Sequence, residues 1–321
     1  MNFKKIVLII IAVAIVATAG FFVFKGGNSK KEDNTKIKVV SSNFASYDFL
    51  RAIIGDNDNV ELTFLLGPGK DAHSYDPTAQ DLIKIQNADL FVYIGGEMEK
   101  WSEKVLSSIE NKETKVICIA DDIETVEEKE VDGAEKEEEE EEEGAFDEHI
   151  WTSPKNAIKM VETLEKAMEE LDNPNGKTYK ENSEKYKAQI KEIDQKIQNI
   201  VDNKKRDRLI FGDKMPMQYF IDYYKLKVSA AFNGCSTETE PSASTIAYLE
   251  NKVKEEKIPV ILYVELNPGK VANIIAKEVG DDCEALQIQS LHNVTLDDFK
   301  NGETWVSLMK RNIEVLKKAL Q

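Results

Sequence analysis

Only three histidines occur in the 321-residue chain: His73, His149 and His292. Each lies in a polar, turn-rich segment, and 76 and then 143 residues separate them, so each comes from a different part of the fold. Imidazole is the commonest protein ligand for late divalent transition metals, and it titrates near neutral pH. We therefore predict that the three rings converge on a single cation.

The local sequence around each histidine supports this prediction. The segments are GPGKDAHSYDPTAQD (67–81), DEHIWTSPKNA (147–157) and SLHNVTLDDF (290–299). We interpret all three segments as strand-to-helix connections. Ligands of parallel α/β sheets bind at the carboxyl ends of the strands, where such connections lie.

Short β-branched runs alternate with helical patterns along most of the chain, which predicts βα units and largely parallel sheets. The predicted strands of the first half are Ile37–Val40, Val60–Leu65, Leu90–Ile94 and Lys115–Ile119, with helices at Tyr47–Ile54 and Pro77–Asn87. Those of the second half are Leu209–Phe211, Val228–Phe232, Val260–Glu265 and Ala285–Ile288, with helices near Met217–Tyr224, Ser242–Glu256 and Lys270–Val279. The fold class is therefore α/β, with two lobes of mainly parallel sheet.

A long amphipathic helix is predicted between the two lobes. The stretch Thr178–Lys204 contains no Gly or Pro, and its apolar residues recur at intervals of four and three. We interpret it as one rigid helix that joins the lobes; a coiled-coil segment for dimerisation is the alternative, and we expect a monomer. The resulting organisation is an N-terminal lobe at 36–172, a linking helix at 173–206 and a C-terminal lobe at 207–321.

Charge is concentrated in one segment. The chain has a net charge of −17, and residues 121–148 hold 17 Asp or Glu against two Lys, so the rest of the chain is nearly neutral. We interpret 121–148 as a solvated, disordered acidic loop of the N-terminal lobe, and the functional alternative is that it attracts cations to the neighbouring His149. No basic stripe appears, which argues against nucleic acid as a partner. The three cysteines form no CxxC pair, so neither a disulfide framework nor a thiolate metal site is expected.

The N-terminus predicts export. Lys4 and Lys5 precede an apolar run from Ile6 to Phe24, which is about long enough to span a bilayer. We interpret 1–25 as a signal or membrane anchor and 26–35 as a linker. The expected location is extracytoplasmic: associated with the cell membrane through this anchor, or secreted after cleavage at the small residues Ala17-Thr18-Ala19.

These segments resemble the zinc/manganese solute-binding proteins of ABC importers, a family of two α/β lobes bridged by one long helix. The family's HxYxPTxxD-like loop is matched by His73, Tyr75, Pro77, Thr78 and Asp81. Its DxHxWxxP loop is matched by Asp147, His149, Trp151 and Pro154, and further matches are GGEMEKW (95–101), STETEPSASTIAYL (236–249) and LMKRNIEVLKKAL (308–320). The resemblance covers nearly everything from residue 36 onward. It implies high-affinity binding of a divalent metal outside the cytoplasm and delivery to an ABC permease subunit.

The chain departs from the family pattern at the ligands. Where many members place a His or Glu ligand in the loop that opens the second lobe, the matching position is close to Lys214, and a protonated ammonium does not bind a metal. Where the family has a final Asp or Glu ligand, this chain has His292. Because three imidazoles leave a tetrahedral ion one ligand short, we predict Glu240 as the fourth, with Asp213, Glu238 or water as rivals. Capping of the helix that opens at Pro241 is the structural alternative for Glu240.

The predicted ligand set favours Zn²⁺ over Mn²⁺, because nitrogen-rich shells suit zinc and the harder Mn²⁺ prefers oxygen. Two other functions remain open at this stage. A three-histidine zinc ion with an open position describes a zinc-dependent hydrolase, with Glu238 or Glu240 as general base. A surface adhesin with an incidental metal site is the other. Since no nucleophile or oxyanion device is evident beside the histidines, we expect that the protein is not an enzyme.

Overall fold

Two four-stranded parallel sheets form the framework of the protein. The structure is a computed structural model that describes residues 36–111, 113–135, 145–236 and 240–321. The strands of the N-terminal lobe are β1 (Ile37–Ser41), β2 (Val60–Phe64), β3 (Leu90–Tyr93) and β4 (Lys115–Cys118). Those of the C-terminal lobe are β5 (Arg208–Lys214), β6 (Lys227–Phe232), β7 (Val260–Val264) and β8 (Glu284–Ile288). The predicted anchor 1–25, the linker 26–35 and the glutamate run 137–143 lie outside the described residues.

The two sheets share one topology. The strand orders are β2-β1-β3-β4 and β6-β5-β7-β8, and every pairing is parallel. In the central pairs, Val39 is opposite Leu90 and Ile210 is opposite Ile261, and these four side chains are fully buried. Strands covered on both faces need nearly continuous apolar runs, which these strands have. The predicted α/β class with two parallel-sheet lobes is confirmed.

Helices connect the strands and cover the sheets. In the N-terminal lobe they are α1 (Phe44–Ile54), α2 (Ala79–Gln86), α3 (Trp101–Ser108) and α4 (Pro154–Leu171). The linking helix is α5 (Gly176–Asp202), and the C-terminal lobe has α6 (Gln218–Tyr224), α7 (Ala243–Glu256), α8 (Lys270–Val279), α9 (Leu296–Lys300) and α10 (Trp305–Leu320). Helix α2 begins two residues after the predicted Pro77 because Thr78 caps it: the hydroxyl of Thr78 accepts from the Asp81 backbone N–H, and the Asp81 carboxylate accepts from that of Thr78.

Helix α5 matches the predicted long helix in length and is shifted by two residues. Four isoleucines of its apolar stripe, Ile190, Ile193, Ile197 and Ile200, are at most 2% exposed. The helix packs against α1, α4 and α10, so the stripe is covered within the chain and offers no coiled-coil surface to a second copy. We retain 36–172, 173–206 and 207–321 as the proposed boundaries of the two lobes and the helix between them.

Part of the acidic loop has a defined structure. Residues 124–135, which we call the acidic strap, leave the N-terminal lobe, contact helix α6 of the C-terminal lobe and end beside its edge strand β6. Asp132 forms a parallel bridge with Ser229, and the N–H of Glu135 donates to the carbonyl of Ala231 at 3.0 Å. The Asp132 carboxylate also accepts from the guanidinium of Arg208 at 3.0 Å. For these residues the prediction of a disordered loop was wrong, because backbone pairing with β6 and a cationic partner outweigh the charge repulsion.

None of the helices in the described ranges has the length and apolar character needed to cross a membrane.

Candidate metal site

The three histidine rings meet between the lobes. Their ring centroids are separated by 5.6 Å (His73–His149), 5.1 Å (His73–His292) and 5.5 Å (His149–His292). One nitrogen of each ring lies within 4.8 Å of the corresponding nitrogens of the other two. A tetrahedral zinc ion with nitrogen bonds of about 2 Å places its ligand atoms roughly 3.3 Å apart, so a small inward movement of the rings would bring three nitrogens to bonding distance and leave the fourth position to another ligand.

His73 presents a nitrogen that is without a hydrogen-bond partner. Its Nε2 is buried and has no partner among the described residues. The loop that carries the ring is fixed from behind, because the backbone N–H of His73 donates to Oδ1 of Asp71 at 2.9 Å. A buried polar nitrogen without a partner is costly, and a cation at the centre of the cluster supplies one.

His149 is oriented by its own segment. Its Nδ1 lies 3.2 Å from Oδ1 of Asp147, and the ring is completely buried. Because a carboxylate accepts, Nδ1 of His149 keeps its proton and donates a hydrogen bond to Asp147, and Nε2 faces the other rings. Many zinc sites have a carboxylate that holds the ligand histidine in this way. Trp151 packs edge-on against the ring, and its indole N–H donates to the carbonyl of Ser290 at 2.9 Å, which connects this segment to the C-terminal lobe.

His292 is positioned by Glu265, which follows β7. Oε1 of this buried carboxylate accepts from the His292 backbone N–H at 2.9 Å, and Oε2 accepts from that of Ser290 at 2.7 Å. Leu291, between them, has a φ of +63°, so the carboxylate holds the backbone in a left-handed turn that a leucine rarely adopts. Nδ1 of His292 then lies 3.3 Å from Nε2 of His149. A cation between the rings would replace this hydrogen bond.

Hydrogen bonds join the histidine loops of the two lobes directly. The backbone N–H of Ala72 donates to Nε2 of His292 at 3.1 Å. The side-chain amide of Asn293 donates to the carbonyls of Gly67 (2.9 Å) and Lys70 (2.7 Å). These hydrogen bonds hold the two lobes against each other around the rings.

The charges around the rings set their protonation. Burial, with the neighbouring His149, lowers the pKa of His73 to about 3. Burial, together with the other two histidines, lowers the pKa of His292 well below its ordinary value. Burial also acts to lower the pKa of His149, but Asp147 outweighs it and the net direction is upward. At neutral pH His73 and His292 are therefore uncharged, and His149 is the one from which a proton must be displaced.

Glu240 is not brought to the rings. Its side chain is 83% exposed and pairs with Lys270 at 3.4 Å, and it lines a cavity of about 540 Å³ together with Asp71 and Lys214. Of its rivals, Asp213 is occupied by the backbone N–H of Val264 (3.1 Å) and the amide of Asn267 (2.8 Å), and Glu238 lies outside the described residues. Glu240 immediately precedes the Pro241 that leads into α7, and its side chain faces Lys270, the first residue of α8.

Four functional neighbours of the rings were missed from the sequence: Asp71, Glu148, Cys235 and Glu265. Glu265 had a usable signal, because it ends a predicted parallel strand, where ligand-positioning residues are expected. Glu148 and Cys235 had none. They are 87 residues apart, and Cys235 Sγ nevertheless lies 3.1 Å from Glu148 Oε2. Burial and the carboxylates of Glu148 and Glu128 raise the pKa of the Cys235 thiol well above its usual range.

A two-lobed α/β scaffold that brings three imidazoles together between its lobes is typical of a metal-binding solute-binding protein. The family model described as "Zinc-uptake complex component A periplasmic" matches residues 39–319, and the chain belongs to this family. The chain is 32% identical over 309 residues to the zinc-binding lipoprotein AdcA of Streptococcus pneumoniae, which covers 96% of this chain and 60% of AdcA. It is 31% identical over 307 residues to the high-affinity zinc uptake system protein ZnuA of Bacillus subtilis, covering 95% of this chain and 94% of that protein.

Solved structures agree with this family. The Zn(II)-bound ZnuA-like domain of Streptococcus pneumoniae AdcA superimposes with a TM-score of 0.74 at 29% identity, covering 89% of this chain and 99% of that domain. The metal-dependent lipoprotein YcdH of Bacillus subtilis gives 0.75 at 26% identity, with the same coverage of each chain. The resemblance inferred from the sequence motifs is confirmed. This chain spans about 60% of the length of AdcA, so the likeness to that protein concerns its ZnuA-like part.

Proposed function

We propose that the protein captures a divalent cation, foremost zinc, through His73, His149 and His292 and delivers it to the permease of an ABC importer. The observation that carries this proposal is the convergence of the three rings from three separate loops. Three neutral nitrogens favour Zn²⁺ over Mn²⁺. The names of the relatives, a zinc-binding lipoprotein and a high-affinity zinc uptake protein, support the same cargo.

The site of action follows from the family and from the N-terminal sequence. We place the lobes outside the cytoplasm, associated with the membrane or secreted, and we propose that the protein acts as a monomer. Two observations support this. The relatives are described as a lipoprotein and as part of an uptake system, and the apolar stripe of α5 is covered within the chain.

We further propose that the protein is not an enzyme. Two of the carboxylates beside the rings are already engaged: Asp147 holds His149, and Glu265 accepts backbone hydrogen bonds of the His292 turn. Neither is free to act as a general base for a metal-bound water. Assays of the zinc-loaded protein for esterase and phosphatase activity test this point, and turnover that disappears in His149→Ala would contradict it.

Zinc titration calorimetry of the full chain tests the proposed site. We expect one zinc per chain, and a loss of affinity of more than about 100-fold in His73→Ala, His149→Ala and His292→Ala. Loss of a residue that only supports a ligand costs about 10–100-fold in metal affinity, and loss of the ligand itself should cost more. Glu240→Ala is the matched control and keeps the affinity within about twofold, the usual scatter of such a measurement. Full affinity in two or more of the histidine variants would rule the site out, as would a wild-type protein that binds no zinc.

A further inference from the structure

A second group of metal-ligand atoms adjoins the three histidines. One ligand atom each of Glu148, His149 and Cys235 lies within 4.8 Å of the other two. His149 belongs to both groups. Glu148 and His149 are fully buried, and Cys235 is partly buried. Carboxylate, imidazole and thiolate are the three ligand types of protein zinc sites.

Glu148 is a buried carboxylate that is paired with no lysine or arginine among the described residues. It is 1% exposed, and within the described ranges it forms no ion pair with Lys or Arg. Its Oε1 accepts from the backbone N–H of Met98 at 2.8 Å, and its Oε2 faces the Cys235 thiol. The chain makes room for it with Gly96, where a Cβ would lie 2.3 Å from Glu148 Cγ. Burying a carboxylate without a lysine or arginine beside it is costly, and a bound cation would offset that cost.

Cys235 is held at this position from both sides. Its backbone N–H donates to Oε1 of Glu128 at 3.1 Å, and its thiol faces Glu148. Glu128 lies in the acidic strap, so the strap itself fixes the cysteine beside His149. Zinc bonds of about 2.0–2.3 Å need ligand atoms roughly 3.3–3.8 Å apart, which movement of these side chains by about an ångström achieves.

We propose that Glu148, His149 and Cys235 form a second zinc subsite, and that a single cation exchanges between it and the three-histidine site. The inference rests on the proposed function, since the cation is the same cargo. Because Nδ1 of His149 is engaged by Asp147, only Nε2 is left for a metal, and the two shells compete for it. On entry into the subsite the S–H bond of Cys235 breaks, a Zn–S bond forms and the proton passes to water. Zinc keeps its oxidation state.

Cobalt(II) reports this thiolate directly, because a cobalt–thiolate bond gives an intense near-ultraviolet charge-transfer band that nitrogen and oxygen ligands do not give. The full chain with His73→Ala and His292→Ala confines the cation to the subsite, and we expect it to bind Co²⁺ with this band. Adding Cys235→Ser abolishes the band and lowers the affinity at least tenfold. Cys118→Ser and Cys283→Ser, which change the two other partly buried cysteines, leave both unchanged.

The outcomes separate this inference from the proposed function. A double histidine variant that binds no Co²⁺, or binds it without the band, overturns the subsite even if the wild type binds zinc tightly. Persistence of the band in the Cys235→Ser background does the same. If the double variant does not fold by circular dichroism, His73→Ala alone provides the background, with the same readings. A wild type that binds neither Zn²⁺ nor Co²⁺ refutes the proposed function instead.

Discussion

Nζ of Lys214 lies 3.4 Å from Oδ2 of Asp71, so an ammonium of the C-terminal lobe is paired with a carboxylate of the His73 loop. Its positive charge contributes to the lowered pKa of both His73 and His292, so it acts on the same rings that would bind the cation. The ion pair joins the lobes and places a positive charge beside a site for a doubly charged ion.

Removal of the Lys214 charge should strengthen zinc binding. We expect Lys214→Gln to lower the Kd of zinc by roughly tenfold at low salt. The change removes the repulsion between the ammonium and the bound ion, which salt screens only in part at this position. Lys270→Gln is the matched control, since its ammonium pairs with the exposed Glu240. Calorimetry at two salt concentrations measures both variants. An unchanged or weaker affinity in Lys214→Gln would show that the ion pair holds the site together more than it repels the cargo.

The contact between Asp147 and His149 should support metal binding. Loss of a carboxylate that orients a ligand histidine typically costs 10–100-fold in metal affinity. We expect that range for Asp147→Asn, which removes the charge and keeps the shape. Asp122→Asn makes the same change in a residue whose carboxylate accepts from the Thr163 hydroxyl, and it should leave the affinity unaltered. Equal effects in the two variants would point to general electrostatics instead of orientation.

Zinc affinity should depend on pH through one proton. His73 and His292 have lowered pKa values and stay neutral over the working range, whereas the pKa of His149 is raised above its ordinary 6.5. Below the pKa of His149, each zinc ion must displace one proton, so the affinity falls about tenfold per pH unit. Titrations in buffers of different ionisation enthalpy count the protons. Release of two or three protons per zinc at pH 6 would contradict this assignment.

Glu99 should make the metal-free protein less stable as pH rises. Burial raises its pKa from 4.5 to about 7. The hydrogen bonds that its carboxylate accepts from the backbone N–H groups of Ile94 and Gly95 act to lower the pKa but do not outweigh burial. Between pH 4.5 and 7 the unfolded chain loses this proton and the folded chain keeps it, so stability falls with rising pH across that window, by about 3 kcal/mol.

The variant Glu99→Gln keeps the neutral form and removes this dependence. Its free energy of unfolding relative to wild type should rise by up to about 3 kcal/mol between pH 4.5 and pH 8, measured by urea denaturation. Glu97→Gln, in the same turn and with a half-exposed side chain, should show no such trend. Parallel curves for Glu99→Gln and wild type would mean that the native carboxyl ionises without cost.

Much of the fold could be read from the sequence, because its elements depend on local pattern. The eight strands are short runs rich in apolar residues, and every one was found within a few residues of its ends in the structure. Helix α5 was predicted at Thr178–Lys204 and runs over Gly176–Asp202. The ends differ because the spacing of apolar residues identifies the buried face of a helix more accurately than its ends. Charge density misled the interpretation of the acidic strap. Val131 within it is 8% exposed, and such apolar residues in an acidic tract were the available signal of packing.

The candidate site was predictable only in part. Scarcity and position at helix-preceding loops identified the three histidines. The direction of the Glu240 side chain depends on the turn before Pro241 and on the distant Lys270, neither of which spacing reveals. The approach of Cys235 to Glu148 depends on how the strap crosses between the lobes, which is a tertiary effect without a sequence pattern.

The two ends of the polyglutamate tract are each fixed to the folded chain. On one side Glu135 is hydrogen-bonded to Ala231 of β6, and on the other the carbonyl of Ala145 accepts from the Glu128 N–H. Because closing a longer loop costs little additional entropy, residues can be gained or lost between these anchors with small effect on folding. The number of negative charges between the two anchors can therefore change during evolution without moving His149, which lies four residues beyond the second anchor.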